Sequence, residues 1–173
     1  VSHFGSTPAT AQIFVQDHGE RLYRRSMYTY WKRTVPPPAL VSFDAPNRET
    51  CTVQRARTNP PLQALAMLND PQLVEASRNF AERIMLSNSE TNARIRFAYE
   101  QALARPPSEA ELDILRRTLS RELARFRNNP QAAAEYLRYG EAERHAELPI
   151  EQHAAWTTVA SMIFNLSEMI TKG

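Results

Sequence analysis

Between Gly19 and Asn59 the chain carries eight lysines and arginines against three acids, interleaved with Tyr23, Tyr28, Tyr30 and Trp31. The planar fork of arginine makes paired contacts to carboxylate, sulfate or phosphate, and aromatic faces stack on flat ligands. One use of this pattern is a binding surface. Its residues would be Arg24, Arg25, Tyr28, Trp31, Arg33, Asp44, Arg48, Arg55, Arg57 and Gln63. An anionic polysaccharide would be the ligand class. The other use is structural: each arginine bonds free carbonyls of a long irregular segment and pairs with Asp44, Glu49 or Asp70. The structural use is preferred, because a long stretch poor in glycine needs such partners for its backbone groups.

Other reactive residues stand alone. Cys51 is the single cysteine, so no internal disulfide forms. As a nucleophile it would need a base such as His18, and nothing in the sequence places one beside it. It reads as a small buried hydrophobe, slow to react with thiol reagents. His3, His18, His145 and His153 show no ligand spacing with one another or with carboxylates, which argues against a metal site. Asp44 and Glu49 lie five residues apart and read as ion-pair partners rather than as an acid–base couple. No catalytic residue and no cofactor site emerges.

These residues have to be positioned by a chain of 173 residues, of which 42% are hydrophobic and 23% charged, ordinary values for one globular domain. A net charge of +2 is too small for a dedicated nucleic-acid module. No apolar run is long enough to span a membrane. The expected architecture is a single, mainly α domain of five to seven helices, with a small β element and a long Arg/Pro-rich loop. Residues 1–22 form an N-terminal arm, 23–70 the arginine-, aromatic- and proline-rich segment, and 71–173 the helical core.

Within the segment, Arg24 to Arg33 fits either period, and its Tyr, Thr and Trp content favours a strand. Pro36, Pro37 and Pro38 make a rigid connector, and Ala39 to Phe43 one helical turn. Leu62, Leu65, Ala66 and Leu68 predict a short helix of buried character ending at Asn69. Asp70-Pro71 supplies a cap and a first-turn proline for the next helix, whose stripe is Leu73, Ser77, Phe80, Ala81 and Ile84. A helix over about 91–104 stops at Arg105-Pro106-Pro107. Ser108 and Glu111 form a capping box that opens the longest helix, to about Arg127. Asn129-Pro130 caps a shorter one expected to end at Gly140, and Glu141 to Glu147 reads as a charged, solvated link. The last helix, about 151–167, buries Ala155, Trp156, Val159, Ile163 and Leu166.

The run YRRSMYTYWKR, PPP, FDAPNRE, Cys51 and RTNPPLQALAMLND, with ALARPPSEAEL and HAAWTTVASMIFNLSEMITK downstream, resembles a planctomycete-specific domain found beside cytochrome c-like modules. That family is classed as of unknown function. The resemblance covers nearly all of the chain after about Phe14. It implies a domain near the C-terminus of a longer, exported protein, extracytoplasmic and with other domains of the same polypeptide, a haem-bearing one among them, as partners. The start at Val1 fits a piece excised from such a protein. No Cys-x-x-Cys-His is present, so c-type haem is not attached to this chain. The function expected is a non-catalytic accessory or interaction module. The alternatives are the polysaccharide-binding module above, and a contribution to an enzyme whose active site lies mostly on another domain.

Overall fold

The last long helix decides the architecture, because it has no polar face to show to water. In a computed structural model, which describes residues 17–23, 31, 36–46, 51–53 and 61–170, the chain divides into two units, 1–58 and 59–173. The described residues form helices and no strand. Apart from Trp31, which is half-buried in irregular backbone, the expected strand over Arg24 to Arg33 lies outside the described residues.

In the first unit, a 3₁₀ turn spans Gly19–Tyr23 and α1 spans Pro38–Ser42. Asp44 follows with φ of 56°, a left-handed conformation that a short polar side chain tolerates. Cys51 departs from its expected burial: it is exposed, along with Thr52 and Val53, in backbone that forms no helix.

The second unit holds α2 (Pro61–Asn69), α3 (Pro71–Ser87), α4 (Thr91–Leu103), α5 (Glu109–Asn128), α6 (Pro130–Tyr136), α7 (Ile150–Phe164) and α8 (Ser167–Ile170). Local chemistry sets most of the starts. The Asp70 carboxylate accepts from the Gln72 and Leu73 amides at 2.9 and 3.4 Å, with Pro71 in the first turn. Glu90 accepts from the Asn92 and Ala93 amides, both at 3.0 Å, and so opens α4. Ser108 and Glu111 complete both arms of their box, at 3.3 and 2.7 Å. Asn129 caps α6 through the Ala132 amide at 3.1 Å.

The ends are less regular. Ala104 closes α4 at φ 56°, and Pro106 and Pro107 forbid its continuation. Arg94 reaches back to the carbonyls of Met85 and Asn88 at 2.8 and 2.6 Å, satisfying the C-terminal end of α3. The shorter helix α6 ends at Tyr136, four residues before the Gly140 stop read from sequence.

Helix α7 carries Glu151 near its start and no acid, lysine or arginine after it. Such a helix is buried on every side. It packs most extensively on α3 and α5, with α6, α4, α2 and α8 completing its surroundings. Ala154, Ala155, Ala160 and Ser161 let the neighbouring backbones approach, while Trp156, Val159 and Ile163 fill the space between them. Phe80 stacks on Phe164 with ring centroids 5.2 Å apart, and Phe126 on Tyr136 at 6.1 Å.

Trp156 is the largest side chain on this central helix. Trp156→Ala is expected to cost about 3–5 kcal/mol in chemical denaturation, through lost burial and the cavity left behind. A loss below about 1 kcal/mol would show that α7 is not packed as described.

Candidate interaction surface

The candidate binding residues of the N-terminal segment separate on inspection. Arg24, Arg25, Tyr28, Arg33, Arg48, Arg55 and Arg57 lie outside the described residues. Trp31 and Asp44 are half-buried, and Gln63 is buried on α2.

The groups best suited to acid–base chemistry sit elsewhere, on α3 and α7. Glu75, Arg78 and His153 are 2%, 3% and 0% exposed. The Glu75 carboxylate accepts from the amides of Glu141 and Ala142 at 3.0 and 2.6 Å. Arg78 donates to the Leu137 carbonyl at 2.8 Å and also to the Ala142 carbonyl. Glu82 takes the His145 amide at 3.0 Å. Arg144 closes the same segment on itself through the Leu148 carbonyl, at 2.7 Å. Residues 137–148 are therefore a strap fixed across α3 through its backbone, while Glu141, Ala142, Glu143, Ala146 and Glu147 stay exposed, as the solvated link expected for 141–147 requires. The physical reason is that two carboxylates and a guanidinium satisfy backbone groups that α6 abandons when it ends at Tyr136.

Gly140 makes that closeness possible. Its φ is +97°, and a methyl group there would lie 2.5 Å from Glu75 Cβ. The sequence did hold a signal. Glu75, Arg78 and Glu82 recur three and seven places apart on α3, one charged stripe beside the apolar one.

His153 lies beneath this latch, with Nε2 3.2 Å from the Arg78 carbonyl and 3.8 Å from Glu82. Its Nδ1 is buried with no hydrogen-bond partner among the described residues. Burial pushes the ring below its ordinary value of 6.5, Arg144 and Arg78 add to the fall, and the Arg78 carbonyl and Glu82 oppose it. No substrate can reach a group so enclosed. The cluster is a structural latch.

A second polar knot joins α4, α5 and α8. Arg105 spans Glu111 and Glu168, each with contacts of 2.8 Å, and lies over the Tyr99 ring, 5.4 Å from its centroid. The Arg105 hydrogen bond is the main cause that holds the Glu111 carboxyl down to about 2, helped by the Ser108 amide. Ala-Arg-Pro-Pro-Ser-Glu-Ala-Glu-Leu thus encodes a joint between helices.

What the surface offers is apolar. Helix α2 (PLQALAMLN) carries no charge and turns its one long polar side chain, Gln63, inward. Leu62, Leu65 and Leu68, at 58%, 57% and 46% exposure, face out. The sequence reading had these leucines buried. The inversion arises because α2 meets α3 and α7 through the Gln63 side, with Asn165, just past the end of α7, donating to the Ala64 carbonyl at 3.5 Å. Asn69 spends its amide on the Leu65 carbonyl at 2.8 Å.

Two outcomes follow from this geometry. The neutral His153 ring contributes its full stability above its ordinary pKa of 6.5, and that stability is lost as pH falls below it toward the depressed folded value. The urea midpoint should therefore drop between pH 7.5 and 5 in the parent, and drop less in His153→Gln. Equal slopes would remove His153 from the pH response. Cys51 should label with a thiol reagent in the native state about as fast as in urea, since exposure gives access. Strong native protection would show that it is covered.

No curated protein and no solved structure matches this chain. A family model described as PSD1, protein of unknown function (DUF1553), matches residues 3–119. That span is more than half of the 173 residues, and the chain belongs to the PSD1 family.

Proposed function

We propose that this chain is a non-catalytic interaction module that docks through α2 onto an apolar face of another domain of a longer, extracytoplasmic polypeptide. The observation that carries the reading is the outward row Leu62, Leu65 and Leu68 on a helix without a charge. Spacing of three residues aligns the three side chains within one side of the helix, the arrangement by which a helix enters a hydrophobic groove. Interface cores are depleted of charge, so a charge-free helix calls for a charge-free partner face.

Two further observations support a module without chemistry of its own. The buried Glu75 and Arg78 of α3 are bonded to the strap, and the partly exposed Arg105 is bonded to two carboxylates. The resemblance to domains found beside cytochrome c-like modules makes a haem-bearing neighbour the first partner to test.

The experiment replaces leucines on the outward row. Leu62→Lys and Leu65→Lys should change folding stability by no more than about 0.5 kcal/mol, as exposed positions do. The same variants should lose at least tenfold in affinity for the neighbouring domain supplied in trans, measured by calorimetry, since each leucine anchor is worth about 1.5–3 kcal/mol when covered. Unchanged affinity would end the α2 docking reading. A stability loss above about 2 kcal/mol would mean that the leucines already pack within this chain.

A further inference from the structure

A pocket of about 130 Å³ lies among α4, α5 and α7, lined by Tyr99, Ile114, Leu115, Met162, Ile163 and Leu166, with Glu111 as its acid. Its polar atoms answer one another. The Glu111 carboxylate accepts from Arg105 at 2.8 and 3.0 Å and from the Ser108 amide at 2.7 Å, and its charge acts on the neighbouring Tyr99 hydroxyl. An occupant therefore has no hydrogen bond to supply and needs only hydrocarbon. Sites for cofactors and drug-sized ligands run to about 300 Å³ or more, whereas a dry apolar cavity of about 150 Å³ holds one benzene ring. The volume here suits a single side chain.

The surroundings of the pocket narrow the choice. Ile114 lines it and is exposed, so an apolar surface continues from the pocket to solvent. Glu111 and Glu168 stand against the one guanidinium of Arg105, which leaves an excess of one negative charge beside it. Glu109, highly exposed two residues before Glu111, is paired with Arg96 at 3.9 Å and leaves that excess unchanged. A free hydrocarbon would leave both features unused. A protein segment with one aliphatic anchor and a neighbouring cation uses both.

We infer that this pocket is a docking socket, separate from α2, for one leucine, isoleucine or methionine side chain of a partner segment that bears a lysine or arginine beside it. The anchor fills the apolar walls while the cation lies against the Glu111–Glu168 rim. This is the division between a desolvated centre and a charged edge found in binding hot spots.

The test uses the full chain with methyl-labelled methionine and isoleucine, followed by nuclear magnetic resonance. Benzene is the probe for the socket itself and should shift Met162 and Ile163. A peptide with leucine between two lysines should shift the same methyls and compete with benzene. Replacing its leucine by alanine should weaken binding about tenfold or more, and replacing its lysines by glutamates should weaken it in a salt-dependent way. Ile114→Lys, at an exposed position, should abolish peptide binding, Ile114→Leu should restore it, and Leu65→Lys should leave it unchanged. The inference fails if benzene shifts neither methyl. It fails equally if benzene binds while the leucine and alanine peptides do not differ. Loss of peptide binding in Leu65→Lys would assign the contact to α2 instead.

Discussion

A carboxylate withdrawn from water has to find its charge met inside the protein, and Glu75 sets that demand for the second unit. Moving an unpaired carboxylate into a protein interior costs several kcal/mol, more than most single contacts return. Glu75 escapes the cost through the amides of Glu141 and Ala142, with the Arg78 guanidinium 3.9 Å away. Those amides reach it only because Gly140 turns at positive φ and carries no side chain. Arg78 in turn needs acceptors, and the carbonyls of Leu137 and Ala142 serve. The strap, the early end of α6 and the enclosure of His153 all depend on this one withdrawn charge.

This constraint also bears on function. Acid, base and cation gathered within a few ångströms usually invite a catalytic reading, because perturbed groups cluster at active sites. Here they are buried: Glu75 and Arg78 bond backbone atoms of the strap, and the His153 ring meets the Arg78 carbonyl beneath it. A group enclosed in that way orders a chain and does no chemistry on a ligand. The part of the second unit that departs from an ordinary helical surface is α2, where the polar side chain is inside and the leucines are outside. A helix pays in solvation for that arrangement unless something covers it.

How much of this was legible in the sequence depends on the range of the interaction. The caps at Asp70, Ser108 and Asn129 were readable because each is closed by a side chain and an amide two or three residues away. The apolar stripes of α3, α5 and α7 were readable from their period. Gly140 was recognised as a stop but misplaced, since its partner Glu75 is 65 residues distant and no local signal joins them. The burial of His153, Thr157 and Ser161 on α7 was missed for a related reason: a stripe shows one buried face, not a helix enclosed by six neighbours. The orientation of α2 was misread because leucine content fixes that a face is apolar but not which way it points. For Cys51 the residue type suggested burial, whereas it is exposed together with Thr52 and Val53. The arginines and Tyr28 named from composition fall outside the described residues, while Trp31 and Asp44 are half-buried in the first unit and Gln63 is buried in the second.

The two arginine knots show why a charged motif cannot be ranked by its density of ion pairs. Arg105 makes the richer set of contacts, bonded to two carboxylates and a carbonyl and lying over Tyr99. Its side chain is 36% exposed, so water competes for every one of those bonds and salt screens them. Arg78 makes fewer contacts, in a place that water does not reach. Losing Arg105 would return its partners to solvent, where they are readily rehydrated. Losing Arg78 would strand two carbonyls and leave Glu75 with a buried negative charge and no nearby cation, the costliest way to break a pair. Burial ranks the two, and it places the conspicuous Arg-Pro-Pro-Ser-Glu-Ala-Glu stretch below an arginine that no motif announced.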